Sequence, residues 1–121
     1  MKYYLLIYWN SSPQPQTTPE QQQDIFQAWQ DYETEVKAAG VYISNDGLRP
    51  VTDATTVRVR NGKTLITDGP FAEAHEQFGG YYLLNCKDLD EALAWATKLA
   101  GLLSVADYGS IEVRPNWQAK G

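Results

Sequence analysis

Asp68, Glu73, His75 and Glu76 fall within nine positions of one glycine-flanked segment, and they bring the chain's single histidine together with three acids. An imidazole among carboxylates is suited to proton transfer near neutral pH. Loops held by rigid elements are favoured places for such groups. In this reading Asp68 orients or accepts a proton and His75 transfers one. Tyr8, Gly69, Phe71, Glu76 and Tyr82 are the candidate ligand contacts. The same residues also admit a structural reading. Asp68-Gly69-Pro70-Phe71 can be a tight turn whose Asp side chain bonds nearby backbone N–H groups, with His75 a solvated loop residue.

Other chemistries have weaker support. His75, Glu73 and Glu76 could ligate a metal, but one histidine and two acids make a generic donor set. Haem would need His75 as its axial ligand, and nothing else points to it. The expectation is therefore no metal and no cofactor. Gly47 and Gly79-Gly80 do not match a phosphate-binding loop. Cys86 is the only cysteine, which rules out an internal disulfide; a buried thiol at a strand end is its expected role. Tyr8, Trp9, Trp29, Tyr32 and Tyr82 either wall an aromatic pocket or serve as core and dimer contacts.

These residues need a scaffold. Residues 2–9 are aromatic and β-branched, as a strand should be. Thr18-Pro19-Glu20-Gln21 is a helix start, with Thr as cap and Gln placed to bond back. Ile25, Trp29, Tyr32 and Val36 then recur at helical spacing, Phe26 widens the stripe, and Gly40 ends the helix. Residues 41–43 begin a second strand, which Asn45-Asp46-Gly47 should break. Residues 56–60 and 63–67 flank Asn61-Gly62, a strong hairpin signal. Residues 71–77 read as polar and irregular, and 81–84 as a core strand with Gly79-Gly80 at its entrance. Asp88 caps a second helix whose buried stripe is Leu89, Ala92, Leu93, Ala96, Leu99 and Ala100, with Gly101 as a candidate end. Residues 109–115 form a last strand. The order is β-α-β, an inserted hairpin, then β-α-β: a ferredoxin-like α+β domain over 1–115 with a tail at 116–121.

Strand alternation adds a partner. Tyr3, Leu5, Ile7 and Trp9 point to one side of the first strand, and Tyr4, Leu6 and Tyr8 to the other. Both sets are apolar or aromatic, as are both sides of residues 81–84. Two helices can cover only one side. The other calls for a second copy of the sheet, a homodimer, or else it lines a ligand groove. The net charge of -5 and a pI near 4.7 argue against nucleic acid as a partner. No apolar stretch reaches the roughly 20 residues that span a bilayer, and a cytoplasmic protein that does not enter membranes is expected.

Asp68-Gly69-Pro70-Phe71-Ala72-Glu73, followed by Glu76-Gln77-Phe78-Gly79-Gly80-Tyr81-Tyr82, resembles the DGPF family, a branch of the YciI-related (YCII) proteins. The opening strand, Ala38-Ala39-Gly40, Thr55-Thr56-Val57-Arg58, Asp88-Leu89-Asp90-Glu91-Ala92 and Ile111-Glu112-Val113-Arg114-Pro115 extend the likeness over nearly the whole chain. The resemblance implies a dimeric α+β barrel. It also implies either a regulatory role with a sigma-factor-related protein partner or small-molecule chemistry. The first reading of function is a small dimeric protein that binds a small molecule or acts as such a regulatory partner. The alternative is a cofactor-independent lyase, isomerase or oxygenase that uses Asp68 and His75. The YciI pattern has a histidine where this chain has Pro19, Glu20 and Gln21, so its His–Asp dyad does not carry over. Asp107-Tyr108 also lacks the proline of the family's Asp-Pro-Tyr element.

Overall fold

The computed structural model describes residues 1–10, 17–70, 75–103 and 109–118. Its elements are β1 (Lys2–Asn10), α1 (Pro19–Ala38), β2 (Tyr42–Gly47), β3 (Thr55–Arg60), β4 (Lys63–Asp68), β5 (Glu76–Asn85), α2 (Leu89–Leu103) and β6 (Gly109–Pro115), with a 3-10 turn at Val51–Asp53. Four strands form an antiparallel sheet in the order β2-β5-β1-β6, and β3 and β4 form a separate two-stranded ribbon. β1 and β2 both run opposite to β5, so α1 joins two parallel strands that are not neighbours. The same holds for α2 between β5 and β6.

Local chemistry explains the ends of these elements. The Thr18 hydroxyl accepts from the Gln21 backbone N–H at 3.1 Å, and the Gln21 side chain accepts from the Thr18 N–H at 2.9 Å. This capping box satisfies two donors that the helix itself leaves unpaired. Thr18→Ala is therefore expected to lower stability by about 1 kcal/mol, read from the urea midpoint. At the other end Gly40 takes φ +74°. The Gly40 and Val41 N–H groups donate to the Lys37 and Val36 carbonyls, which closes a Schellman motif. Asn61 and Gly62 both have positive φ, as a type I′ hairpin turn demands.

Tyr3, Leu5 and Ile7 of β1 and Tyr82 and Leu84 of β5 are buried with Tyr32 and Val36 of α1 and Ala92, Ala96, Leu99 and Leu103 of α2. Both helices therefore lie on the same side of the sheet. Tyr4, Leu6, Tyr8, Tyr81 and Leu83 occupy the opposite side, half-buried. The β1–β5 register shifts between Ile7 and Tyr8 and leaves Gly79 as the extra residue. This bulge turns Phe78 to the side of Tyr8, their rings 5.6 Å apart.

Several details differ from the pattern read in the sequence. β2 runs through Asn45, Asp46 and Gly47, because these residues pair with Tyr82, Tyr81 and Gly80. Glu76 and Gln77 belong to β5, paired with Asn10 and Trp9. α2 continues past Gly101 to Leu103, which is buried. Phe26, Leu89 and Leu93 are exposed, while Trp95 packs against the core. The helical stripe is thus narrower on α1, and on α2 it is rotated toward Trp95.

Candidate functional site

Two cavities are built from residues with useful chemistry, one on each side of the sheet. On the helix-free side a recess of about 370 Å³ is lined by Tyr8, Glu76, Ser110, Ile111 and Glu112. It forms because Tyr8 faces Ser110 across β1 and β6, while Asn10 pairs with Glu76 on β5. The Tyr8 hydroxyl donates to Glu112 Oε1 at 3.3 Å, and Arg114 Nη2 donates to the same oxygen at 2.7 Å. The Ser110 hydroxyl donates to Glu76 Oε1 at 3.2 Å. Desolvation, then the Glu112 charge and its hydrogen bond, raise the Tyr8 pKa, and Arg114 opposes them. Tyr8 is thereby kept as a protonated hydrogen-bond donor. The recess offers carboxylates to a donor-rich ligand and an aromatic edge to an apolar one.

The second cavity, about 220 Å³, opens where β2, β5 and β1 meet α1; Trp9, Trp29 and Tyr82 line it, with Asn45 and Asp46. The Tyr42 hydroxyl donates to Asn45 Oδ1 at 2.6 Å. Asp46 Oδ1 accepts from the Gly47 N–H at 2.9 Å. Burial pushes the Tyr82 hydroxyl up to about 12, and Glu33 and Tyr42 add to the effect. Tyr82 is therefore a neutral group at physiological pH.

The candidate residues separate into several places. Tyr8 and Glu76 come together in the first recess, and Tyr82 lines the second cavity. Asp68 is the exposed last residue of β4, opposite Thr55. Gly69 makes the turn that follows, with φ +94°. Its N–H donates to the Ala54 carbonyl at 2.7 Å, and its own carbonyl accepts from the Thr56 hydroxyl at 2.7 Å. His75 is exposed immediately before β5. Phe71 and Glu73 lie outside the described residues. Neither Asp68 nor His75 lines either of these cavities.

Ser110 and Glu112 join the recess without belonging to the motif around Asp68 and His75. Their signal was the alternation of Ser110, Glu112 and Arg114 on one side of the last strand. By composition alone Asn45 and Asp46 mark only a strand break. Cys86 is buried, and burial, with Glu91 and Asp88 adding and the N-terminal charge opposing, pushes its thiol up to about 11. That leaves little thiolate for nucleophilic attack. Among the described residues no group of three His, Cys, Asp or Glu side chains is arranged to hold a metal ion. No helix among them is long and apolar enough to cross a membrane.

Two helices on one side of a four-stranded antiparallel sheet, with a projecting ribbon and a cavity on each side, define a small α+β domain. The chain belongs to the YCII-related domain family, whose model matches residues 1–118. It is 36% identical over 115 residues to an uncharacterized protein of Rhizobium meliloti (strain 1021), an alignment that covers 95% of this chain and 91% of the relative.

Proposed function

We propose that the protein is a ferredoxin-like protomer that pairs through the helix-free side of its sheet into a dimeric α+β barrel and binds a small organic molecule. The observation that carries this reading is the aromatic and aliphatic side formed by Tyr4, Leu6, Tyr8, Phe78, Tyr81 and Leu83, which neither helix covers. Water would otherwise lie against a large apolar patch, and stable interfaces of this kind bury about 1,200–2,000 Å² in total. The strand order supports the ferredoxin-like reading. Numbered along the chain without the ribbon, the strands lie in the order 4-1-3-2. In the paired protein the recess at Tyr8 and Glu76 would be roofed by the second sheet, with these two residues as ligand contacts.

Leu6→Glu tests the pairing. Leu6 sits on β1 between Tyr81 and Glu112, so a carboxylate there meets both an apolar partner and a like charge. Sedimentation should find dimers of the native chain at micromolar concentration and monomers of the variant, with the dissociation constant raised at least about 100-fold. A native chain that stays monomeric at all concentrations would refute the pairing.

A regulatory reading has its own support. Val57, Val59 and Ile66 of the ribbon are each 60% exposed or more. A two-stranded ribbon with such a surface suits a protein partner, and a sigma-factor-related one is the partner the family resemblance implies. The enzymatic alternative, acid–base work by Asp68 and His75, draws no support from the two cavities: both residues are exposed and line neither of them. It requires that His75→Ala abolish turnover while leaving the fold intact.

A further inference from the structure

The cavity on the helix side differs from the recess at Tyr8 in both position and chemistry. Its walls are the indoles of Trp9 and Trp29 and the ring of Tyr82, with Ile7 adding aliphatic surface. Flat rings are the surfaces against which other flat rings pack best. The Gly79-Gly80 pair is what allows this arrangement. A Cβ on Gly79 would land 2.1 Å from the Trp9 ring, and one on Gly80 would land 2.7 Å from the Asp46 carbonyl oxygen. Any larger residue at Gly79 would push the Trp9 ring away, and any larger residue at Gly80 would force β2 off β5. The glycines therefore make room for the Cδ1–Nε1 edge of the Trp9 indole at the bulge and keep the rim residues Asn45 and Asp46 beside it.

Size sets the class of ligand. An engineered protein cavity of about 150 Å³ lined by apolar side chains holds benzene. The present cavity is about 220 Å³, enough for one substituted ring. The rim sets the polar requirement. Tyr42 donates to Asn45 Oδ1, which leaves the amide N–H2 as the group able to serve a ligand. Asp46 Oδ1 is already engaged by the Gly47 N–H. The second carboxylate oxygen of Asp46 remains an acceptor, so the rim suits a hydroxyl, which can accept from the Asn45 N–H2 and donate to Asp46.

We propose that the cavity between Trp9, Trp29 and Tyr82 binds a small, single-ring aromatic molecule bearing an oxygen acceptor, with Asn45 reading that oxygen. The three rings of this site lie on the opposite side of the sheet from the pairing surface, although Tyr81 of that surface also borders the cavity. None of its residues lines the recess at Tyr8.

The probe is p-cresol, titrated into the full-length 15N-labelled protein while the four indole N–H signals are followed. Trp9 and Trp29 should shift saturably, with a dissociation constant on the order of 1 mM or tighter. Trp117, 98% exposed, should not move and serves as the control for unspecific contact. Toluene, which lacks the oxygen, should bind about tenfold more weakly, as expected for one lost hydrogen bond. Asn45→Ala should erase that preference while leaving toluene binding unchanged. Trp29→Ala should weaken both ligands about tenfold or more; Trp29→Phe, which keeps a ring in the wall and serves if the alanine variant fails to fold, should retain binding. Shifts that never saturate, that appear equally at Trp117, or that survive Trp29→Ala in folded protein would overturn the assignment. A p-cresol preference that persists in Asn45→Ala would overturn the role of Asn45.

Discussion

Leu5→Ala is expected to lower the unfolding free energy by about 3–5 kcal/mol, seen as a lower urea midpoint with little change in slope. A domain of this size has a total of only about 5–15 kcal/mol to lose. Leu5 is fully buried on the middle of β1, between Tyr82 and Val113 on the flanking strands. Truncation there leaves a void that the sheet and two helices cannot close together. Leu6, the next residue, offers a direct contrast: the same side chain on the other side of the sheet, half-buried. In isolated protomers Leu6→Ala should cost far less, because no helix packs against it. If the outer sides pair, its cost should grow with protein concentration, while the Leu5→Ala cost stays constant. Equal costs at every concentration would remove the distinction between a covered and an uncovered side.

That contrast also explains what the sequence made legible. Period-two alternation in β1 and β5 places Tyr3, Leu5 and Ile7 together and Tyr4, Leu6 and Tyr8 together, and the structure keeps both groupings. Helix starts were equally readable, because Thr18 and Asp88 act through bonds to backbone within three residues. Features set by distant partners were not readable. Asn45-Asp46-Gly47 looks like a strand break by composition, yet β5 supplies the pairing that keeps it extended. Gly79-Gly80 marks an entrance locally, but its role depends on Trp9, seventy positions earlier. Leu89 and Leu93 fit a helical stripe, but packing against Tyr32 turns the helix so that Trp95 faces inward instead.

The candidate site was legible to a smaller extent for the same reason. Tyr8 and Glu76 are separate signals in the sequence, and the register of β1 with β5 brings them to one recess. Glu112 gains its meaning only from the Tyr8 hydroxyl and Arg114. No local pattern marks a carboxylate on a last strand as a partner for a tyrosine on the first.

Strong destabilisation by alkali is expected from the core beside the aromatic cavity. Tyr32, Tyr82 and Cys86 are all buried there, and each is neutral in its protonated form. Burial raises the Tyr32 pKa well above the usual phenol value of 10.0, with Tyr82, Cys86 and Glu35 adding to it. Tyr82 rises from 10.0 to about 12, and Cys86 from 9.0 to about 11. The Tyr32 hydroxyl also donates to the Trp95 carbonyl at 2.9 Å, a bond that the phenolate would lose. The unfolded chain releases these protons at the lower, ordinary values, whereas the folded chain holds them. Between the two values the unfolded state binds fewer protons, so stability falls as pH rises. The contribution is complete below pH 9. Cys86 begins to withdraw it above its unfolded value of 9.0, the tyrosines above 10.0, and the loss continues until the folded values are passed. Each pKa unit corresponds to about 1.4 kcal/mol, so Tyr82 and Cys86 together remove on the order of 5 kcal/mol when fully ionised. Urea midpoints should therefore hold steady from neutral pH to pH 9 and drop steeply by pH 11. Tyr32→Phe should start lower, through the lost bond to Trp95, but fall less steeply above pH 10. A midpoint that stays flat to pH 11, or an unchanged slope in Tyr32→Phe, would show that these hydroxyls and the thiol reach water in the folded protein, and the closed wall beneath the cavity would go with them.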